Sequence, residues 1–400
     1  MQSKNVKDAL NKKAAYGPDV DLNDFKVGTY APDKINDPDG MDRDVKERIA
    51  NVGMMPCRTS RSGTIFFTDN GPSHVSSQSD DIELMPVREA AKKYDLSEYL
   101  WKAVSPDKDK YTSKTYLEDS DGYFIRVKEG RNVKFPVQTC MIINRNKQMQ
   151  NVHNIVIVEK NASVEIITGC TTKKHVDESL HVGVSETFIK EGGSLSFTMI
   201  HNWSDKTHVR PRSGCIMEKN SRYVNNYVIL NPVRSVQSYP TTYLNGENAT
   251  AKFNSICISH EGSDIDVGSL IELNAPGTSA EIMSRSITLG GRMVARGRLV
   301  GNAAGAKAHL ECRSLVIGDN GYTLAVPELE STIADVEMTH EAAVGKIARD
   351  QVEYLMIRGL TEEEAVGMIV RGFLEGGIKG LPEDLKKEID RAIEKANMGS

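Results

Sequence analysis

Lys160-Asn161-Ala162-Ser163, Gly192-Gly193-Ser194, Lys219-Asn220-Ser221, Glu247-Asn248-Ala249, Pro276-Gly277-Thr278 and Ala304-Gly305-Ala306 are six versions of one short turn. Alternating segments such as Ile155-Val156-Ile157-Val158 and Ala162-Ser163-Val164-Glu165-Ile166-Ile167 carry the period of two expected of short strands. The first inward-facing residues after the turns align as Val164, Leu195, Tyr223, Ala251, Ala280, Ala308 and Val336, at separations of 31, 28, 28, 29, 28 and 28. Two residues further on, Ile166, Phe197, Phe253, Ile282, Leu310 and Met338 repeat the apolar position, and Asn225 breaks it. A β-sandwich has turns at roughly 8–12 residues but no reason for a longer fixed period. Coils stacked through parallel hydrogen bonding do have one. The expected fold is therefore mainly β, a right-handed parallel β-helix-like solenoid flanked by N-terminal and C-terminal α-helical regions.

The remaining chain divides around that core. Residues 1–130 are polar at first, punctuated by Pro18, Pro32 and Pro38, and read as an N-terminal arm followed by a small helical region. In that region Leu84, Val87, Ala90, Ala91, Tyr94, Leu96, Leu100 and Trp101 have helical spacing. Residues 131–338 form the expected β-helix core and residues 339–400 a C-terminal helical domain. There Val344, Ile347, Ala348, Val352 and Leu355 mark a helix ending at Gly359. Thr361-Glu362-Glu363-Glu364 is a capping box opening a helix with Val366, Ile369, Val370 and Phe373 on one face. A third helix is expected from Pro382, with Leu385, Ile389, Ile393 and Ala396 along one side.

Composition narrows the function. The 400 residues carry 50 basic and 55 acidic side chains, and no Lys/Arg cluster is interleaved with aromatics, so nucleic acid is not an expected partner. No apolar run is long enough to span a bilayer. The N-terminus Met1-Gln2-Ser3-Lys4-Asn5-Val6 lacks the apolar stretch of a signal peptide, which points to a reducing, cytoplasmic location. Six cysteines stand at 57, 140, 170, 215, 257 and 312 with no CxxC pair, which argues against zinc fingers and ferredoxin-type runs. Nucleotide-binding and hydrolase motifs are missing, so the chain is not expected to be an enzyme or to hydrolyse ATP itself.

In a solenoid, residues one period apart stack on adjacent coils. Cys312 and His340 are 28 apart and are expected as near neighbours, with Glu341 beside them, an arrangement of thiolate, imidazole and carboxylate suited to iron or zinc. A second column, six residues past the anchors, holds Cys170, His201, Ile229 and Cys257. Cys57, Cys140 and Cys215 read as small buried apolar residues, Trp203 as a corner-packing aromatic, and Arg285, Arg292, Arg296 and Arg298 as a solvated face.

With these residues the chain resembles the SufB/SufD family, the scaffold of SUF-type iron–sulfur cluster assembly. The resemblance is carried by Ile167-Thr168-Gly169-Cys170, Ile200-His201-Asn202-Trp203, Ala295-Arg296-Gly297-Arg298-Leu299-Val300, Glu311-Cys312-Arg313-Ser314, Thr339-His340-Glu341-Ala342 and Gly345-Lys346-Ile347. Arg358-Gly359-Leu360-Thr361-Glu362-Glu363-Glu364-Ala365 and Ile369-Val370-Arg371-Gly372-Phe373 are the most specific stretches. The resemblance implies a transient iron–sulfur cluster at Cys312, His340 and Glu341, with Cys170, Cys257, His201 and Trp203 on a sulfur path or in a secondary role. It also implies a separate ABC-type ATPase, SufC, docked near Arg358, Gly359, Thr361, Glu364, Ile369 and Phe373, and apo-protein acceptors. Where SufB usually has Gln before Asn-Trp, this chain has His201. Its length and Cys312 favour a SufB-like subunit of minimal archaeal or anaerobe type, working as a homodimer. Two other readings are a structural adaptor of an ABC ATPase complex without a cluster, and a carbohydrate-active β-helix enzyme.

Overall fold

In the computed structural model the turn residues Asn161, Gly192, Asn220, Asn248, Gly277 and Gly305 all adopt the left-handed backbone conformation, with φ between 55° and 70°. Gly reaches that region without strain and Asn tolerates it better than most residues, which is why these two types occupy the corner. Each corner amide then donates to a carbonyl of the following coil: Asn161 to Glu191, Gly192 to Lys219, Asn220 to Glu247, Asn248 to Pro276, Gly277 to Ala304 and Gly305 to Asp335. The structure describes residues 2–13, 17–28, 32–35, 43–54, 61–318 and 320–375.

Each coil gives one strand to each of two parallel sheets, and the β-solenoid has about eight turns. The first sheet is built by Val137–Ile143, Ser163–Thr172, Ser194–Asn202, Arg222–Ile229, Thr250–His260, Ser279–Leu289, Ala306–Val316 and Val336–Lys346. The second contains Gln148–Val158, Glu178–Ile189, Lys206–Met217, Asp264–Leu273, Arg292–Gly301 and Tyr322–Ser331, with Ser235–Ser238 and Thr241–Leu244 together filling one strand position. Inward side chains of both sheets, among them Val156, Ile166, Leu195, Ile271, Leu299 and Leu310, meet in one continuous core. Burying each such side chain contributes about 1.5–3 kcal/mol.

The expected alignment holds from Val164 through Leu195, Tyr223, Ala251 and Ala280 to Ala308, each opposite the next. It fails at the last step. Ala308 pairs with Met338, and Val336 pairs with Ala306. The cause lies between Val316 and Tyr322, where Gly318 and Gly321 have positive φ: Arg292 already pairs with Tyr322, 30 residues on, whereas Ser279 pairs with Lys307, 28 residues on. The shift is an even number of residues, so the inward and outward faces keep their identity.

Other boundaries also move. Within residues 1–130, Gly63–Thr68 and Gly71–Ser77 form a hairpin on the first sheet, and Ile82–Pro86 pairs antiparallel with Tyr123–Val127 on the second. The helical spacing read from Leu84 therefore begins in a strand, because Ile82 and Leu84 alternate inward and Pro86 stands just before the first helical turn. Among the described residues six α-helices surround the sheets: α1 (Gln2–Ala9), α2 (Arg43–Ala50), α3 (Val87–Lys93), α4 (Lys110–Leu117), α5 (Arg349–Ile357) and α6 (Glu362–Glu375). At the C-terminal end the last strand continues to Lys346, past the expected start of the helical domain, and holds Val344. The helix expected from Pro382 lies outside the described residues. No described helix is long and apolar enough to cross a membrane.

The corner geometry sets a test. A Cβ at Gly277 would lie 2.5 Å from Asn248 Oδ1 at a φ of +69°, so Gly277→Val is expected to cost about 1–3 kcal/mol. Asn220→Gly, at an equivalent corner, should change stability by less than about 1 kcal/mol. Urea denaturation of both variants checks the contrast.

Candidate functional site

Three rows of side chains face the lumen from the first sheet. One runs Met141, Cys170, His201, Ile229, Cys257, Ser286, Ser314, with each residue the register partner of the next. The Cys170–His201–Ile229–Cys257 column read from the period is thus present in full. Beside it runs Thr139, Thr168, Met199, Tyr227, Ser255, Ser284, Cys312, Ala342. A third row ends Ile282, Leu310, His340.

Cys312 and His340 therefore lie on adjacent coils and on the same face, but offset by one inward position, with Ala342 directly opposite the cysteine. Cys312 is fully buried, whereas His340 is exposed because no further coil covers it. Burial pushes the Cys312 thiol up to about 11, against the pull of the Arg285 guanidinium. Glu341 belongs to the opposite face, since neighbouring residues of a strand point to opposite sides. There it pairs with Arg313 at 3.3 Å. Convergence of all three groups within one chain is corrected by this register: among the described residues, no group of three or more His, Cys, Asp or Glu side chains is placed to hold a metal ion.

The arginines are not a solvated face. Arg285 is buried and pairs with Glu311 at 2.9 Å, and Arg313 also reaches that carboxylate. Arg296 grips Asp266 through two hydrogen bonds of 2.6 and 2.7 Å, Arg292 pairs with Asp264 at 3.2 Å, and Arg298 pairs with Glu328 and Glu330.

His201 is the most constrained member of the cysteine row. The Trp203 indole N–H donates to His201 Nδ1 at 2.8 Å, which leaves the proton of the neutral ring on Nε2. That Nε2 is buried and has no hydrogen-bond partner among the described residues. Tyr227 lies against the ring edge to face, with centroids 4.9 Å apart. Burial, helped by the nearby His181, pushes the His201 pKa down to about 3. Cys170 and Cys257 are fully buried and their thiols are pushed up by the same cause, Cys257 to about 12. Trp203 is buried in the core, as expected for a packing aromatic, and it also fixes its histidine neighbour. The hydroxyl row of Thr168, Tyr227, Ser255 and Ser284 was not anticipated, although it shares the offset of four residues past the anchors that singled out Cys312.

α2 and α6 cover the outer face of the first sheet. Val45, Ile49, Val370 and Leu374 pack with Ile200, Val228, Ile256 and Ile287, and Phe373 packs against the same cluster. The capping box forms, with Glu364 N–H donating to Thr361 Oγ1 at 3.2 Å and Thr361 N–H to Glu364 Oε2 at 2.8 Å. Gly359 ends α5 with a φ of +99°. Arg358 donates to Tyr354 Oη at 2.9 Å. On the outside of this helical pair Ile357, Tyr354 and Met368 are 84%, 55% and 50% exposed.

The depressed His201 pKa has a consequence for stability. An unfolded histidine binds its proton near 6.5, whereas folded His201 stays neutral down to about 3. Its contribution is complete above pH 6.5 and decays as the pH falls towards 3. His201→Gln should therefore reduce the slope of stability against pH in that window by about one proton's worth, as read by urea denaturation at a series of pH values.

Residues 141–373 match the SufBD core domain of the SUF system for FeS cluster assembly. Over 99% of this chain and 98% of its relative, the sequence is 43% identical to an iron–sulfur cluster assembly SufBD family protein of Methanothermobacter thermautotrophicus. It is 44% identical to one of Archaeoglobus fulgidus over 88% of this chain and 95% of the relative. It is 32% identical to the iron–sulfur cluster assembly protein SufB of Bacillus subtilis, over 76% of this chain and 66% of that protein. With its stacked coils and this extent of similarity, the chain belongs to the SufBD family, whose role is in iron–sulfur cluster assembly.

Proposed function

We propose that this protein is a nonenzymatic scaffold on which iron and sulfide are built into a cluster and passed to apo-proteins. The observation that carries this reading is the position of Cys312, a soft ligand at the end of a lumen row of Tyr227, Ser255 and Ser284 and under the last coil of the solenoid. His340, on the same face and exposed, is the second ligand or a base that keeps the thiol ionised, and Glu341 is a hard, exchangeable iron ligand. Mixed ligation of this kind suits a cluster that must be released. Cys170, His201, Trp203 and Cys257 serve the movement of sulfur towards Cys312.

Because Glu341 lies on the other face from Cys312, the full ligand set is assembled from two chains. The last strands, Tyr322–Ser331 and Val336–Lys346, end their sheets, and their outer edges have no strand partner among the described residues. Such edges are normally covered, and a second copy adding its own strands about a two-fold axis covers them. Cys312, His340 and Glu341 then occur twice near the axis. An ABC-type ATPase docks on the exposed face of α5 and α6, beside Arg358, Gly359, Thr361, Glu364 and Ile369, while Phe373 anchors α6 to the sheet. ATP-driven closure of two such ATPases pulls on the helices and opens the dimer.

Anoxic reconstitution of the full chain with ferrous iron and sulfide, followed by visible absorption, tests the scaffold. Cys312→Ser should lose the cluster chromophore while its apo form keeps the parent's circular dichroism and unfolding midpoint. A variant that retains a full chromophore overturns the assignment.

Docking is tested by Ile357→Asp combined with Met368→Asp, since deleting α6 would also uncover the apolar face of the first sheet. The double variant is expected to lose co-purification with the ATPase and to keep its stability within about 0.5 kcal/mol, as is usual for exposed sites.

A further inference from the structure

The second sheet has a seam. Lys206–Met217 pairs with the next strand position only at His208 and Val209 and again from Gly214 to Met217. Arg210 to Ser213 keep their pairs with Glu178–Ile189 on one side but make none with residues 237 to 240 on the other. Four residues of strand correspond to an opening of about 13 Å along the chain. The local sequence explains it. Pro211 and Pro240 have no amide proton to donate, and Tyr239-Pro240 interrupts the facing strand. Carbonyls at the seam are partly taken by a side chain: Arg212 donates to Pro211 O and to Gln237 O, each at 2.8 Å.

Behind the seam lies a lumen cavity of about 60 Å³, enough for about four water-sized molecules. Pro211, Ser213, Ser238 and Pro240 line it from the seam, and Tyr227, Ser255 and Ser284 line it from the first sheet. Thr242 also lines it, and its buried Oγ1 has no hydrogen-bond partner among the described residues. Ser284 is the register neighbour of Cys312 and bonds Ser255 at 3.0 Å, so the cavity lies along the row that ends at that thiol. On the outer side Tyr239 and Pro240 are only half-buried. The Tyr239 ring is covered by the Arg296 guanidinium at 4.1 Å, and Arg296 also borders the cavity. On the Arg210–Arg212 side the seam is covered by Asp109, Tyr111 and Pro18, so the accessible part of it is at Tyr239 and Pro240.

We propose that this seam is a side entrance to the lumen, gated by Tyr239 on Arg296, and that the cavity behind it takes neutral hydrogen sulfide. The size and the hydroxyl lining suit a small hydrogen-bonding guest. Arg296, at the rim, is the one charged side chain among the described lining residues and its charge is already taken by Asp266, so an anion would shed its water without a free counter-charge and a neutral form enters at lower cost. The choice of sulfide rests on the scaffold reading, whereas the entrance rests on the seam alone.

Two buried cysteines report on access. Cys215 lines the cavity, whereas Cys140 lies in the cluster on the outer face of the first sheet. Burial pushes both thiols up. Methyl methanethiosulfonate should label Cys215 of the native chain at least about tenfold faster than Cys140, since one thiol needs only a small opening and the other needs local unfolding. A bulky maleimide should label neither. Tyr239→Ala should speed labelling of Cys215 but not Cys140, and Tyr239→Phe, which keeps the ring, should match the parent. Equal rates for the two cysteines, or no effect of Tyr239→Ala, overturn the entrance. Anaerobic crystals soaked in sodium hydrosulfide should show anomalous sulfur density near Thr242, and water alone in the cavity overturns the choice of guest. No iron enters either experiment, so failure here is distinguishable from failure of cluster assembly.

Discussion

The left-handed corner is the constraint on which the rest of the structure depends. A coil closes only if one residue per turn reverses the chain at positive φ, and the amide freed by that reversal donates to the next coil. One local conformation therefore sets both the end of a strand and the register of its neighbour. Ion pairs such as Lys160–Glu191, Lys190–Glu218 and Lys219–Glu247 decorate the same edge. Being exposed, each contributes at most about 1 kcal/mol. The backbone ladder and the lumen core carry the stability, and the side-chain rows that hold the chemistry follow from them.

The same burial defines the chemistry available in this conformation. Cys170, Cys257 and Cys312 are held as thiols and His201 and His181 as neutral rings, all by exclusion of water. A thiolate is the form that binds iron or attacks a persulfide, so under the proposed scaffold role Cys312 would have to gain a cationic neighbour or lose its cover before acting. Arg285 supplies part of the first condition. The second falls to the last coil, where the strand over Cys312 has no further strand on its outer edge among the described residues.

The two sheets differ in how they are sealed. The first is covered outside by α2 and α6 through an apolar cluster. The second is covered around Arg210 and Arg212 by α4 and residues near Pro18. Arg212 pairs there with Asp109 at 2.6 Å, and Arg210 donates to Tyr111 Oη and Pro18 O. Polar cover of this kind follows from the broken ladder beneath it, because carbonyls without strand partners need donors.

Much of the architecture was legible without coordinates. Corners recur with the coil, so a period of about 28 residues was visible in the chain, and with it the solenoid, the Cys170–His201–Cys257 row and the Thr361 capping box. These are local or strictly periodic features, set by backbone preferences and alternation over a few residues. Only the tertiary structure decided the lengthened last coil, which moves His340 opposite Leu310 and sets Ala342 opposite Cys312, whereas the turn of Glu341 away from Cys312 follows from strand alternation alone. It also decided that Ile82–Pro86 is a strand, that the arginines are paired with Asp264, Asp266 and Glu311, and that the ladder opens at Pro211 and Tyr239-Pro240. Each of these depends on which distant backbone groups meet. Hydrogen-bond register and charge pairing across coils are settled by the stacked whole, because a strand's own residues fix its alternation but not its partner.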